Sequence, residues 1–186
     1  MRTIPKPTIS PLRVYTACYS GFRDTTTRTK FSNIDNFIDT QSTQYDTNAS
    51  SKNLYKFKPH THISGTISKD DMVNLYDNNM VKNKEGRKIY DKLKSLAPLE
   101  RCPFCGIGTV STLDHYLPKT EFPTFSVLPY NLVASCKDCN TGKLARYAPT
   151  QNTQTLHPYY DDFTSEQWLY AKVLQPLKIN FFVNPP

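Results

Sequence analysis

Two Cys-x-x-Cys pairs, Cys102/Cys105 and Cys136/Cys139, stand 30 residues apart in this chain. Four thiolates offered from two short turns suit the tetrahedral preference of Zn²⁺, and a metal held this way ties two distant segments together. Buried or redox thiols are the plainer alternative, but the doubled spacing favours the metal. The interval is longer than the usual zinc-ribbon gap, so additional structure is expected inside it. Within it lie Asp114, His115 and Asn131, and just after the last cysteine come Asn140 and Lys143.

Those residue types match what phosphodiester hydrolysis needs. An in-line water must lose a proton, and positive charge must meet the transition state and the leaving oxygen. The imidazole of His115 can take the proton near neutral pH. Asp114 and Asn140 offer hard oxygen ligands suited to Mg²⁺, Mn²⁺ or Ca²⁺. Lys143, about one helical turn after Asn140, shares its face and can reach a phosphate oxygen. Taken singly, each has an ordinary role. An Asp-His pair is more often a surface loop or a satisfied polar contact, Asn131 a turn former, Asn140 a helix cap, and Lys143 a solvated charge.

The string Cys-x2-Cys, Leu-Asp-His-Tyr-Leu-Pro, Tyr-Asn-Leu and Cys-x2-Cys-Asn-x2-Lys resembles the HNH endonucleases, in particular their zinc-bound ββα-metal, or His-Me finger, subgroup. The resemblance implies that Asp114 and His115 end the first strand of a hairpin, that Asn131 sits in the following loop, and that Asn140 opens a helix. It also implies roles: Asp114 and Asn140 as ligands of a catalytic Mg²⁺ or Mn²⁺, His115 as general base, Asn131 as the orienting residue, and the four cysteines as a structural zinc site. The position often filled by His is Asn140 here, a variant also found in the HNH domain of RNA-guided CRISPR nucleases, where Asn-x-Gly-Lys recurs. Here it reads Asn140-Thr141-Gly142-Lys143.

A net charge of +7 favours an acidic partner such as nucleic acid. The charge is not concentrated in the zinc segment, since residues 1–100 hold 16 basic and 10 acidic side chains against 5 and 3 in residues 101–150. A solvated mixed-charge face is the more ordinary explanation of that half. With four cysteines assigned to zinc, Cys18 is left over as a small apolar helix residue, and an odd thiol argues for a reducing compartment. The first residues lack the apolar run of a signal peptide and no segment approaches a membrane span, so the cytoplasm is expected.

The expected fold is α+β: a helical region over residues 1–100, a nuclease core with its zinc site over 101–150, and an extension over 151–186. Ser10-Pro11 reads as a helix start, with Leu12, Tyr15 and Tyr19 at helical spacing to near Gly21. A second helix is expected over 31–44 from Ile34, Phe37 and Ile38, and the Ser-, Thr- and Asn-rich stretch 41–53 reads as a loop. Ser68 can cap a third helix carrying Met72, Leu75, Tyr76 and Met80, which Gly86 interrupts before Ile89, Leu93 and Leu96 resume the period.

His60 and His62 fit a loop or substrate contact better than a metal site, because no carboxylate lies near them in sequence. Tyr55-Lys56-Phe57-Lys58 reads either as an ordinary strand or as a base-stacking, phosphate-contacting run. His157, before a proline, is a structural residue or else a further member of the metal site. The Leu-His-Pro-Tyr stretch 156–159 resembles sequences following the HNH segment in bacterial defence nucleases, among them the HNH partner of Septu-type systems, which implies phage defence and an ATPase partner. The apolar run 181–183 calls for burial against the core or a partner, or belongs to a longer polypeptide. DNA is the substrate the resemblance implies by default. RNA, including transfer RNA, stays open, and so does a non-catalytic zinc-stabilised nucleic-acid-binding subunit.

Overall fold

The computed structural model describes residues 2–162, 164–165, 167, 169–175 and 178–183. Helix α1 (Pro11–Tyr19) starts at a proline whose missing N–H has no intrahelical partner to lose, although the Ser10 hydroxyl makes no capping bond. Its buried face carries Val14, Tyr15 and Cys18. Burial pushes the Cys18 thiol up to about 12, so it behaves as an inert apolar group.

The single helix expected over 31–44 is two. Helix α2 (Thr25–Ser32) is capped by Asp24, which accepts from the Thr26 and Thr27 amides, and α3 (Asp35–Ser50) follows after a break at Asn33 and Ile34. The stretch read as a loop is therefore the second half of α3. Its polar residues face solvent and return their hydroxyls to the preceding turn, as Thr43 does to Asp39 O and Thr47 to Thr43 O. The inner stripe is Ile38, Ser42, Tyr45 and Ala49 at helical spacing, with two members too polar or too small to register as apolar periodicity.

A short ribbon, β1 (His62–Ser64) with β2 (Ile67–Ser68), leads to α4 (Lys69–Asn74), which opens with a reciprocal capping box between Ser68 and Asp71. A wide π-helical turn over Leu75–Met80 continues it, burying Leu75, Tyr76 and Met80. Gly86 does not interrupt the next helix, α5 (Lys84–Lys94). The break falls at residues 81–83, where Asn83 caps α5, and Gly86 is needed because a Cβ there would meet Asn79 O at 2.0 Å. Tyr55 and Lys56 lie in a 3₁₀ turn (Leu54–Lys56) rather than a strand, which leaves Phe57 free to pack edge-on against Phe125 at 4.8 Å.

Inside the inter-cysteine interval, β3 (Thr112–His115) pairs antiparallel with β4 (Leu132–Ser135), Asp114 opposite Val133 and His115 opposite Leu132, and α6 (Lys137–Lys143) follows at once. Leu113, Leu132 and Ala134 join the same apolar core as Val14, Phe31, Met72, Leu75 and Leu93. The helical region and the hairpin thus rest on shared buried surface. A second cluster, built on Tyr45, Phe122, Phe125 and Leu128, packs beneath the loop joining β3 to β4.

Residues 156–161 hold the back of this hairpin: the Tyr159 hydroxyl donates to Leu132 O at 2.7 Å, and the Ile4 amide donates to Pro158 O at 3.0 Å. Beyond them β5 (Leu169–Leu174) and β6 (Lys178–Val183) form a hairpin of their own. Of the readings open for the final apolar run, burial against the core is not seen, since Phe181 is 65% and Phe182 45% exposed. Pairing with β5 satisfies one edge of β6, and Phe182 finds a local neighbour in Tyr170 across the hairpin, ring centroids 5.6 Å apart. Pro185 and Pro186 lie outside the described residues. The whole is a mixed α and β fold with small antiparallel sheets. No helix among the described residues is long and apolar enough to cross a membrane.

Candidate functional site

The sulfur atoms of Cys102, Cys105, Cys136 and Cys139 all lie within 4.8 Å of one another. A tetrahedral Zn²⁺ with Zn–S bonds of about 2.3 Å sets sulfur atoms about 3.8 Å apart, and Cys105 Sγ stands 3.9 Å from Cys136 Sγ. The backbone is shaped for thiolates. Gly108 N donates to Cys105 Sγ at 3.3 Å and Cys139 N to Cys136 Sγ at 3.5 Å, and such bonds favour the charged form. With its backbone donors leading, the Cys105 thiol is drawn down to about 6, whereas burial and the neighbouring sulfurs push the Cys139 thiol up. Gly108 is required by close approach, because a Cβ there would sit 2.8 Å from Cys136 Sγ. These four residues fit a structural metal such as zinc. Cys136 is also the N-cap of α6, so a metal here anchors the start of that helix.

Anchoring α6 decides what its last turn can reach. Lys143 crosses to the end of β3, its Nζ 2.9 Å from Asp114 Oδ2, and also donates to the His115 carbonyl. Both side chains are largely buried. Burial raises the Asp114 carboxyl above the ordinary carboxylate range and lowers the Lys143 ammonium, while their mutual attraction opposes both shifts. Asn140, in the middle of α6 rather than at its opening, points its amide Nδ2 at Thr112 Oγ1, 3.4 Å away, and so does not cap the helix.

Successive residues on a strand project to opposite faces, and His115 uses the other one. Its Nε2 donates to Ser126 O at 2.8 Å, because a carbonyl can only accept, which leaves Nδ1 with a free lone pair. The ring of Tyr76 packs edge-on at 4.4 Å, and Lys119, paired with Asp77, lies over the Tyr76 ring at 4.8 Å. Burial, with help from Lys119 and Lys143, pushes His115 down to about 3, so the ring is neutral throughout the physiological range. The wide turn of Leu75–Met80 is what delivers Tyr76 to this position.

Asn131 is buried with every side-chain group engaged. Its Oδ1 accepts from Leu117 N at 2.7 Å and from the Tyr45 hydroxyl at 3.0 Å, and its Nδ2 donates to Leu117 O and Phe125 O. It therefore fastens both ends of the loop that follows His115. His157 extends this network rather than joining Asp114. Its Nδ1 accepts from Tyr159 N, so the proton sits on Nε2, 3.3 Å from the Tyr45 oxygen. Its ring stacks on Tyr116 at 4.3 Å. His60 is tied to Thr124 Oγ1 at 2.7 Å and His62 is exposed, so the two are not brought together as a metal pair.

Beyond Lys143 the backbone turns abruptly at Leu144, with φ 53° and ψ −139°, a strained conformation for a leucine. The turn brings Arg146 and Tyr147 over a cleft of roughly 260 Å³ that Lys143, Tyr116, Tyr55 and Gln154 also line. Sequence spacing singled out only Lys143 and, for another reason, Tyr55. Arg146 and Tyr147 follow Lys143 within four residues, whereas Tyr116 and Gln154 come from other segments, and no periodicity connects them.

The fold and cysteine cluster define a mixed α and β protein with a four-cysteine cluster that could hold a metal ion. No family model and no solved structure matches the chain. Along its whole length it is 34% identical, over 200 aligned residues, to protein ea31 of Escherichia phage lambda, covering 67% of that relative. The chain belongs to the ea31 family.

Proposed function

We propose that this protein is a metal-dependent endonuclease of HNH type, hydrolysing phosphodiester bonds, with DNA the favoured substrate. The observation that carries the reading is the meeting of Lys143, from a helix tied to the cysteine cluster, with Asp114 at the end of β3. A zinc-stabilised binding module has no need of a buried carboxylate there, and burying one is costly unless it is paired. Asp114 and the Oδ1 of Asn140 supply hard donors of the kind Mg²⁺ or Mn²⁺ takes, with water completing the shell. Such an ion would contribute positive charge to the phosphate and the leaving oxygen. In this reading Lys143 compensates Asp114 in the resting protein and turns to phosphate when the cation takes its place.

His115 would take the proton from water at Nδ1, its tautomer held by Ser126 O. A base held near 3 is weak. Burial is the main cause, and a bound phosphodiester, whose negative charge opposes the lesser influence of Lys119 and Lys143, would raise the basicity only in part. Asn131 acts as a positioning residue, holding the loop that presents Ser126. An ATPase partner and a part in phage defence belong to the proposal through the likeness of the 156–159 stretch alone, which also has a packing role against β4.

Purified protein incubated with plasmid, single-stranded DNA and transfer RNA in Mg²⁺ or Mn²⁺ tests the reading. Cleavage by the wild type, lost in His115→Ala and Asp114→Ala with zinc content and circular dichroism retained, is the expected result. Cleavage undiminished in both variants would remove the centre from consideration. Binding to nucleic acid without any cutting would leave the non-catalytic zinc-stabilised subunit instead.

A further inference from the structure

The cleft beside Lys143 has the composition of a place for a nucleobase. Its walls include three tyrosines, Tyr55, Tyr116 and Tyr147, each from a different segment, and two cations, Lys143 and Arg146, with no acidic residue among its lining. Aromatic faces and cationic groups together take up a base and its phosphate without regard to sequence. The volume of roughly 260 Å³ lies just below the range of ligand sites for drug-sized molecules, about 300–1,000 Å³. That is room for one base and its sugar, not for a stacked pair.

The walls are held in place. Tyr116 donates its hydroxyl to Thr155 O, Tyr147 packs edge-on against Phe122 at 5.1 Å, and the Tyr55 amide donates to Gln154 Oε1 at 2.9 Å. That last bond orients the Gln154 amide so that Nε2, which donates no hydrogen bond within the described residues, is left for a ligand. Arg146 donates to Gly142 O and has no carboxylate within 4.0 Å among the described residues, so its charge is uncompensated. Leu144, just before Arg146 and Tyr147, holds a positive φ of 53°, and strained backbone of this kind clusters at ligand clamps.

We propose that this cleft is a nucleotide subsite that receives one unpaired base of a single-stranded or splayed nucleic acid, with the adjoining phosphate on Arg146 and Lys143. The proposal rests on the nuclease reading for its substrate class and adds the form of that substrate. A base can reach the rings of Tyr55 and Tyr147 only after leaving the stack, so duplex is excluded from the subsite unless it is opened. Since Lys143 touches both the cleft and Asp114, a nucleotide seated there places its phosphate beside the centre. The cleft does not separate DNA from RNA, because its contacts reach base faces and phosphate rather than a defined sugar hydroxyl.

The test uses the full chain in a His115→Ala background, with and without added Mg²⁺, and short fluorescein-labelled oligonucleotides read by anisotropy. Single-stranded DNA, single-stranded RNA and a blunt DNA duplex of the same sequence are the probes. Tyr147→Ala is expected to weaken single-strand binding about tenfold, the range of one lost base stack, and to leave duplex binding unchanged. Tyr147→Phe, which keeps the ring, should restore it. Equal affinity for single strand and duplex, with no effect of Tyr147→Ala, would overturn the subsite. The two readings fail separately. Wild type that cuts nucleic acid while Tyr147→Ala binds normally removes the subsite and keeps the nuclease. Tyr147-dependent binding in a wild type that cuts nothing supports the subsite and removes the nuclease.

Discussion

The Lys143 ammonium lies 2.9 Å from the carboxylate of Asp114, and it reaches it from a helix whose first turn belongs to the four-cysteine cluster. Two features that sit far apart in the sequence are thereby made into one mechanical unit. The cysteines fix the start of α6, seven residues set its length, and the end of that length meets the last residues of β3.

Breaking the pair from the lysine side leaves a buried carboxylate without its counter-charge. Lys143→Met is expected to destabilise the protein by about 3 kcal/mol, as loss of one member of a buried pair does. Combining it with Asp114→Asn should recover most of the loss. Urea denaturation of the two variants measures both. Added Mn²⁺ should stabilise Lys143→Met more than the double variant, because only the single variant keeps the carboxylate that would bind it.

A metal held by the four cysteines, whose sulfur atoms lie within 4.8 Å of one another, would contribute its binding energy to folding. About one zinc per chain is expected by elemental analysis, as four ligands imply. A strong chelator, or Cys102→Ser, should lower the melting temperature and free α6 first. A well-folded protein that contains no zinc would contradict this.

Asn131 carries four hydrogen bonds in a fully buried position. Asn131→Ala strands their partners, and each buried group left unmade costs about 1–3 kcal/mol. The expected total is at least about 3 kcal/mol. Asn131→Asp keeps the shape but turns two donors into acceptors facing the carbonyls of Leu117 and Phe125, so it should fare no better. Thermal melts of the two variants check this.

Stability should fall with acid through His157. Burial holds its folded form near 3 against an ordinary value of 6.5, so the unfolded chain binds the proton more readily. With the folded value depressed, the contribution is complete above about pH 6.5 and is lost as pH falls toward 3, with a slope of at most about 1.4 kcal/mol per pH unit from this group. His115, depressed for the same reason, adds to the fall. Denaturation followed between pH 7 and 4 should steepen accordingly, and His157→Gln, which cannot take up a proton, should flatten it. An unchanged slope in that variant would place the acid sensitivity elsewhere.

Local chemistry was legible in the chain. The spacing of Cys102, Cys105, Cys136 and Cys139 announces a metal cluster because ligand geometry is short-ranged, and Pro11, Ser68 and the stripe Met72, Leu75, Tyr76 and Met80 announce helices for the same reason. What was misread also has local causes. The polar face of α3 hid a helix whose buried stripe is Ser42, Tyr45 and Ala49, and Gly86 signalled a break where only close packing against Asn79 required it. The tertiary structure alone decided that Lys143 faces Asp114, that His115 turns away toward Ser126 and Tyr76, that His157 supports Asn131 through Tyr45, and that three separate tyrosines meet around one cleft. Each of these depends on where a distant segment is carried by packing, and periodicity within one segment holds no information about its neighbour in space.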